Sequence, residues 1–328
     1  MTTATRRFFK LCCVFMASAF LIAAAPPPAQ ADKLEEGRAA IGAGDYARAL
    51  ELLAPLADSG DAVAQNAMGV LYVQGWGVAA DPKRAVRWFR KAAEQGHVVA
   101  QWQMGRMYSK GWGCSQNYRK AAEYYKAAAE QGDADAQNSL GLMYYFGQGV
   151  RQSYSEAARW YRKAAVQGHA LAQFNLAETL EFHTETNEEV IAEALHLYIE
   201  AAEQGIAQAQ NNLATMYRTG KGIPVNYAGA EKWYFEAAMR GHANAQNSLG
   251  AMYGRGDGVP QDHSEAFVWF SLAVIFGQER AASNRDYARS KLSSNDLAAA
   301  TQRIKTLSNE IHQNKAIQPT RVVISKLN

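Results

Sequence analysis

Seven histidines, three cysteines and 31 acidic residues give this 328-residue chain the groups for nucleophilic, acid–base or metal chemistry. Their spacing argues against all three. No His-Glu-x-x-His, Gly-x-Ser-x-Gly, Cys-x-x-Cys or Ser-x-x-Lys occurs, and the last is the usual signature of serine β-lactamases and penicillin-binding proteins. His97, His169 and His242 sit at one repeated position in alternate segments, too far apart along a repeat array to share a metal, and read as parts of a helix joint. Cys114 follows Gly113 at a position otherwise held by Val78, Val150, Ile223 and Val259, which suits a small buried hydrophobe better than a reactive thiol. The acidic run Glu181 to Glu189 does not have the spacing of a calcium loop and reads as a solvated loop. The chain is therefore expected to be no enzyme, with no cofactor and no metal site.

The chemistry of recognition is better represented. Where most segments carry asparagine (Asn66, Asn138, Asn211, Asn247), two carry Trp102 and Phe174. Neighbouring variable positions supply Arg106, Lys110, Leu142, Tyr145, Phe146 and Phe182, and Trp76 and Trp112 occupy the middle of two turns. All are expected to face outward on the first helix of a segment or on the turn after it. Trp, Tyr and Arg dominate binding hot spots, so these ten residues are candidate anchors for a protein or peptide. The competing reading is local packing between irregular segments.

What positions them is a period. Six blocks of about 36 residues start at Asp61, His97, Asp133, His169, Ile206 and His242 and end at Gly96, Gly132, Gly168, Gly205, Gly241 and Gly277. Such self-similarity marks a solenoid, whose units bury their apolar faces only against neighbours. The first half of a block places Met104, Met107 and Tyr108, or Leu140, Met143 and Tyr144, on one stripe of a helix. Gly69, Gly105, Gly141 and Gly250 interrupt that helix, and glycine there costs about 1 kcal/mol relative to alanine, so a second helix is expected to pack very close. A Gly-x-Gly turn follows, as Gly75/Gly77 or Gly111/Gly113. It joins two helices, unlike the strand-to-helix loop that binds dinucleotides. Asp81, Asn117, Ser153, Asn226 and Asp262 are N-cap residues of the second helix, with Ser153/Glu156 and Asp262/Glu265 reading as capping boxes. Block four, at 169–205, has one residue more and no Gly-x-Gly.

The recurring pattern Ala-Gln-x-x-Leu-Gly-x-x-Tyr, Gly-x-Gly-Val and Ala-x-x-Trp-Tyr-x-Lys-Ala-Ala-x-Gln-Gly resembles the Sel-1-like repeat, a relative of the tetratricopeptide repeat, from Asp61 to Gly277. The resemblance implies an all-α, right-handed solenoid of helix-turn-helix repeats acting as an adaptor or scaffold. Exported bacterial members include periplasmic regulators that bind sensor kinases and proteins of envelope assembly. A cysteine-rich subgroup described as penicillin-binding or β-lactamase-like pairs cysteines in each repeat, and this chain lacks those pairs. By block the repeats are 61–96, 97–132, 133–168, 169–205, 206–241 and 242–277. Residues 32–60 resemble a divergent tetratricopeptide cap, 278–313 a helical cap, and 314–328 read as a flexible tail.

Residues 1–31 read as a signal peptide: Arg6, Arg7 and Lys10, an apolar run from Leu11 to Ala25, and a cleavage site after Ala29-Gln30-Ala31. The run is short of the roughly 20 residues a membrane span needs. Thr5 to Lys10 also looks like a twin-arginine signal, so either export route fits. Cleavage leaves 31 basic against 31 acidic residues, without the clustered charge that nucleic acid or anionic membranes require. Expected partners are therefore proteins or peptides, an envelope receptor or cell-wall machinery among them. The expected location is the periplasm or, beyond it, the medium.

Overall fold

Residues 28–183 and 187–316 are described in the computed structural model, and they hold sixteen α-helices and no strand. The expected signal peptide therefore lies outside the described residues except for its last four, which open helix α1 (Pro28–Ala43). Of the expected tail, 314–316 end the last helix and 317–328 lie outside. Helix α2 (Tyr46–Asp58) pairs with α1, and six helical hairpins follow. They are α3 (Ala62–Gln74) with α4 (Pro82–Glu94), α5 (Val98–Lys110) with α6 (Tyr118–Glu130), and α7 (Ala134–Phe146) with α8 (Tyr154–Ala165). Then come α9 (Ala170–His183) with α10 (Glu188–Glu203), α11 (Ala207–Thr219) with α12 (Tyr227–Met239), and α13 (Ala243–Arg255) with α14 (His263–Ile275). A short α15 (Ala282–Arg289) and a long α16 (Ser294–Ala316) finish the array. Dense packing joins successive helices, and α16 folds back on α14. The chain is an all-α solenoid.

Helix starts are set by short acceptor side chains. Asp61 and Asp133 accept from the N–H of Ala64 and Ala136 at 2.7 Å, as an N-cap should. In the alternate blocks the histidines take that place. Nδ1 of His97, His169 and His242 accepts from Ala100, Ala172 and Ala245 at 3.2, 3.1 and 3.3 Å. A neutral ring protonated at Nε2 does this, and His169 Nε2 meets Asp135 at 3.2 Å. Second helices are capped by Asp81, Asn117, Ser153, Asn226 and Asp262, as expected. The capping boxes, however, form only by half. The Ser153 and Asp262 N–H groups are already bound to the carbonyls of Tyr144 and Tyr253 at 2.9 Å, so Glu156 turns to Arg159 and Glu265 to Arg303. The same backbone bond ties Asp81 to Tyr72, Asn117 to Tyr108 and Asn226 to Tyr217 and closes those hairpins.

Close approach explains the helical glycines. A Cβ on Gly69, Gly105 or Gly141 would lie 2.5 Å from ring carbons of Phe89, Tyr125 or Tyr161 on the facing second helix. In the turn, Gly113 has φ +67° and rests against the Pro82 backbone of the preceding block, where no side chain fits.

A glutamine relay, which the sequence reading did not single out, ties each hairpin to the one before. Gln65, Gln101 and Gln137 donate to the carbonyls of Ala57, Ala93 and Ala129 on the preceding helix at 3.1, 3.4 and 3.1 Å. Their Oε1 atoms accept from Gln95, Gln131 and Gln167 at 2.8, 2.7 and 2.8 Å. Gln204 does the same for Gln173 at 2.6 Å. The second glutamine becomes Arg240 in block five and Phe276 in block six, and Oε1 of Gln210 and of Gln246 has no hydrogen-bond partner among the described residues.

Two outcomes follow from these contacts. Gly141→Ala should lower unfolding stability by about 1–2 kcal/mol in a urea titration, because overpacking outweighs the roughly 1 kcal/mol gained in helix propensity. Burial holds the His97 imidazole below its ordinary pKa, with Asp61 pulling the other way. Its cap is thus fully present above about pH 6.5 and is lost as pH falls through the lower folded value. His97→Asn, which caps without titrating, should remove about 1 kcal/mol of the stability lost between pH 7 and 5 in melting curves.

Candidate functional site

The ten candidate residues fall into two environments set by helix phase. Lys110, Trp112, Phe146 and Phe182 stand at the turn end of their first helices and are exposed, Trp112 by 47 % and both phenylalanines by 60 %. Trp76, Trp102, Arg106, Leu142, Tyr145 and Phe174 are half-buried. The asparagine column is not the outward face that was expected. Asn66 and Asn138 are only 4 % and 7 % exposed, and Asn138 accepts from Asn175 of the next first helix at 2.8 Å. That column is a seam between adjacent first helices, so Trp102 and Phe174 fill gaps there as well as showing an edge.

Three clusters result. In block two the Arg106 guanidinium lies 4.8 Å from the Trp102 ring and 5.9 Å from Trp112, with Nη1 on Gln103 at 3.2 Å. Cation–π geometry of this kind stiffens both indoles. In block one, Trp76 stacks on Tyr46 of the N-terminal hairpin at 5.0 Å and serves as packing. The third cluster spans blocks three and four. Tyr145 meets Phe146 edge-on at 4.9 Å and Tyr154 at 5.2 Å, and its hydroxyl bonds His183 Nε2 at 2.8 Å. Tyr154 stacks on the His183 ring at 4.0 Å.

Block four owes this arrangement to its missing Gly-x-Gly. With no glycine to stop it, α9 runs one residue further than the other first helices, 14 residues against 13, and ends at His183. The expected solvated loop is thus helical at its start, while 184–186 lie outside the described residues. Glu181 is not solvated either. It accepts from the buried Tyr198 hydroxyl at 2.7 Å and from Lys221 Nζ at 2.8 Å. Lys221 also lies 5.6 Å from the Phe182 ring. Burial pushes the Glu178 carboxyl up, opposed by His183 and reinforced by Glu181. Tyr154, His183 and Lys221 were not singled out beforehand. The lost turn was the signal for His183, but contacts across a block boundary carry no local pattern. Cys114 is half-buried against the core, and burial raises its thiol pKa, as suits an unreactive side chain. Among the described residues no group of three or more His, Cys, Asp or Glu could hold a metal ion, and no helix is long and apolar enough to cross a membrane.

Comparison with known proteins agrees with this architecture. The Sel1 repeat model matches residues 62–97, 98–133, 134–169, 170–206, 207–242 and 243–274. The chain belongs to the Sel1 repeat family, whose members are generally non-catalytic scaffolds that bind proteins. It is similar to a Sel1 repeat protein from Oxalobacter formigenes, at 33 % identity and a TM-score of 0.67 over 74 % of this chain and 96 % of that one. It is also similar to a protective antigen present in uropathogenic Escherichia coli strains and displaying an SLR fold, at 25 % identity and a TM-score of 0.57 over 89 % of this chain and 72 % of that one. The search of curated proteins found no match.

The two environments separate by stability. Trp102→Ala should cost about 1–2 kcal/mol, part of what a buried aromatic contributes. Phe146→Ala and Phe182→Ala should stay within about 0.5 kcal/mol of the parent in the same thermal melts.

Proposed function

We propose that the protein is an exported adaptor of the bacterial cell envelope, which seats a protein or peptide partner on the aromatic rim of blocks two to four. One observation carries this reading: Trp112, Phe146 and Phe182 expose large rings at the same end of three consecutive first helices. About half of each ring is still exposed, so burying it on binding contributes about 1 kcal/mol, and the three together supply the core of a specific contact. The rings are held from beneath by Arg106, Tyr145 and Lys221, which lowers the ordering cost of association. Export is supported by the basic, apolar and small-residue succession of residues 1–31, and a non-catalytic role by membership of the repeat family. The balanced charge without the leader suits a partner chosen by apolar contact rather than by charge.

Photo-crosslinking in cells tests both halves. A photoreactive phenylalanine at position 146 or 182 should capture a single envelope protein, and one at Val166, exposed just past the end of α8, should not. Trp112→Ala with Phe146→Ala and Phe182→Ala should weaken that complex at least tenfold with helicity and melting unchanged. Equal capture from position 166 would sink the rim, and a cytoplasmic fraction holding the protein would sink the location.

A further inference from the structure

The opposite end of the array departs from the repeat in a different way. Two positions one turn apart near the end of the first helix hold Val70 and Val73, Arg106 and Ser109, Leu142 and Tyr145, Glu178 and Glu181, then Thr215 and Arg218. In block six they shrink to Ala251 and Gly254. Helix α15, packed on α14 where a seventh first helix would lie, has 8 residues instead of the 13 of α13. Together these changes leave a cavity of about 160 Å³ between α13, α14 and α15. The glycine is not required by its neighbours. A Cβ on Gly254 would make ordinary contacts, 3.5 Å to Ala266 and 4.0 Å to Phe270, so the space is real room.

The lining has two characters. Inside it is apolar, with Phe270, Ala266 and Ala251 as walls. Arg255, His263, Asn284 and Tyr287 add polar groups from all three helices. Arg255 reaches Asp257 at 3.7 Å, well beyond the 2.7–2.9 Å of a charge-assisted hydrogen bond, so its donors remain open to a better-placed acceptor. Nδ1 of His263 is buried and has no hydrogen-bond partner among the described residues. Tyr287 is exposed and stands edge-on to His263 at 6.2 Å between ring centroids.

We propose that this cavity binds the C-terminal carboxylate of a peptide ending in an aliphatic residue such as leucine. A cavity of roughly 150 Å³ accepts a group the size of benzene, and a leucine side chain is no larger. The planar fork of Arg255 matches a carboxylate, and the Asn284 amide supplies a further donor. The site lies outside the aromatic rim and stands or falls independently of it.

Isothermal titration of the purified full chain with N-acetyl-Gly-Gly-Leu and with its C-terminal amide tests the assignment. The acid should bind and the amide at least tenfold more weakly. Gly254→Leu, which fills the cavity from an unstrained helical position, should abolish binding without lowering the melting temperature. Arg255→Gln, at an exposed position, should weaken the acid about tenfold and leave the amide unchanged. Equal affinity for acid and amide, retained binding in Gly254→Leu, or no binding of the acid by the parent would each overturn the proposal. Should Gly254→Leu melt early, Arg255→Gln decides alone.

Discussion

The contact on which the solenoid depends is an aromatic ring resting on bare helix backbone. Phe89, Tyr125, Tyr161 and Phe270 each lie over a glycine of the facing helix, at distances where a methyl group would collide with the ring. This brings the two helices of a hairpin together at a fixed depth and rotation. The backbone bond from the second-helix cap to the first-helix tyrosine then has the geometry to form. Blocks four and five keep Tyr198 and Tyr234 but carry Ala177 and Ala214. In both, the ring hydroxyl joins a side-chain network, Glu181 and Asn212 for one and Thr215 for the other.

Much of this was legible in one sequence because repetition multiplies a weak signal. A single Asp or Asn before a helix is ambiguous, whereas the same position filled by Asp81, Asn117, Ser153, Asn226 and Asp262 is a cap. The interrupted helices at Gly69, Gly105 and Gly141 foretold a close neighbour, and one lies there. What the period could not supply was information about joints between blocks. The capping boxes failed because Tyr144 and Tyr253, far back in sequence, already held the N–H groups that Glu156 and Glu265 were expected to bind. The asparagine column looked outward because polar residues on one helix face normally meet water. Here the adjoining helix supplies Asn175 instead. The glutamine relay went unread for the same reason, since its partners sit in different helices.

The candidate surface follows from that distinction between within-block and between-block contacts. Trp102 and Phe174 replace asparagine in the seam, so their bulk is partly structural and their edges are held. Trp112, Phe146 and Phe182 lie beyond the seam, at the turn end, where nothing in the repeat demands an aromatic ring. Positions that depart from the period without a packing reason are the ones available for recognition. Ala251 and Gly254 follow the same logic with the opposite sign, since side chains too small for the repeat open space where it would fill it.

A strictly periodic track has a drawback for any elongated ligand: each seat has an equivalent one block along, so the complex would be a mixture of shifted alignments. The overrun of α9 removes that translational degeneracy. Its extra helical residue places His183 where the other first helices have already given way to glycine, and the pairings of His183 with Tyr145 and Tyr154 and of Glu181 with Lys221 mark both neighbours as well. One break in an otherwise uniform lattice is enough to define an origin, from which every other contact along the array is counted.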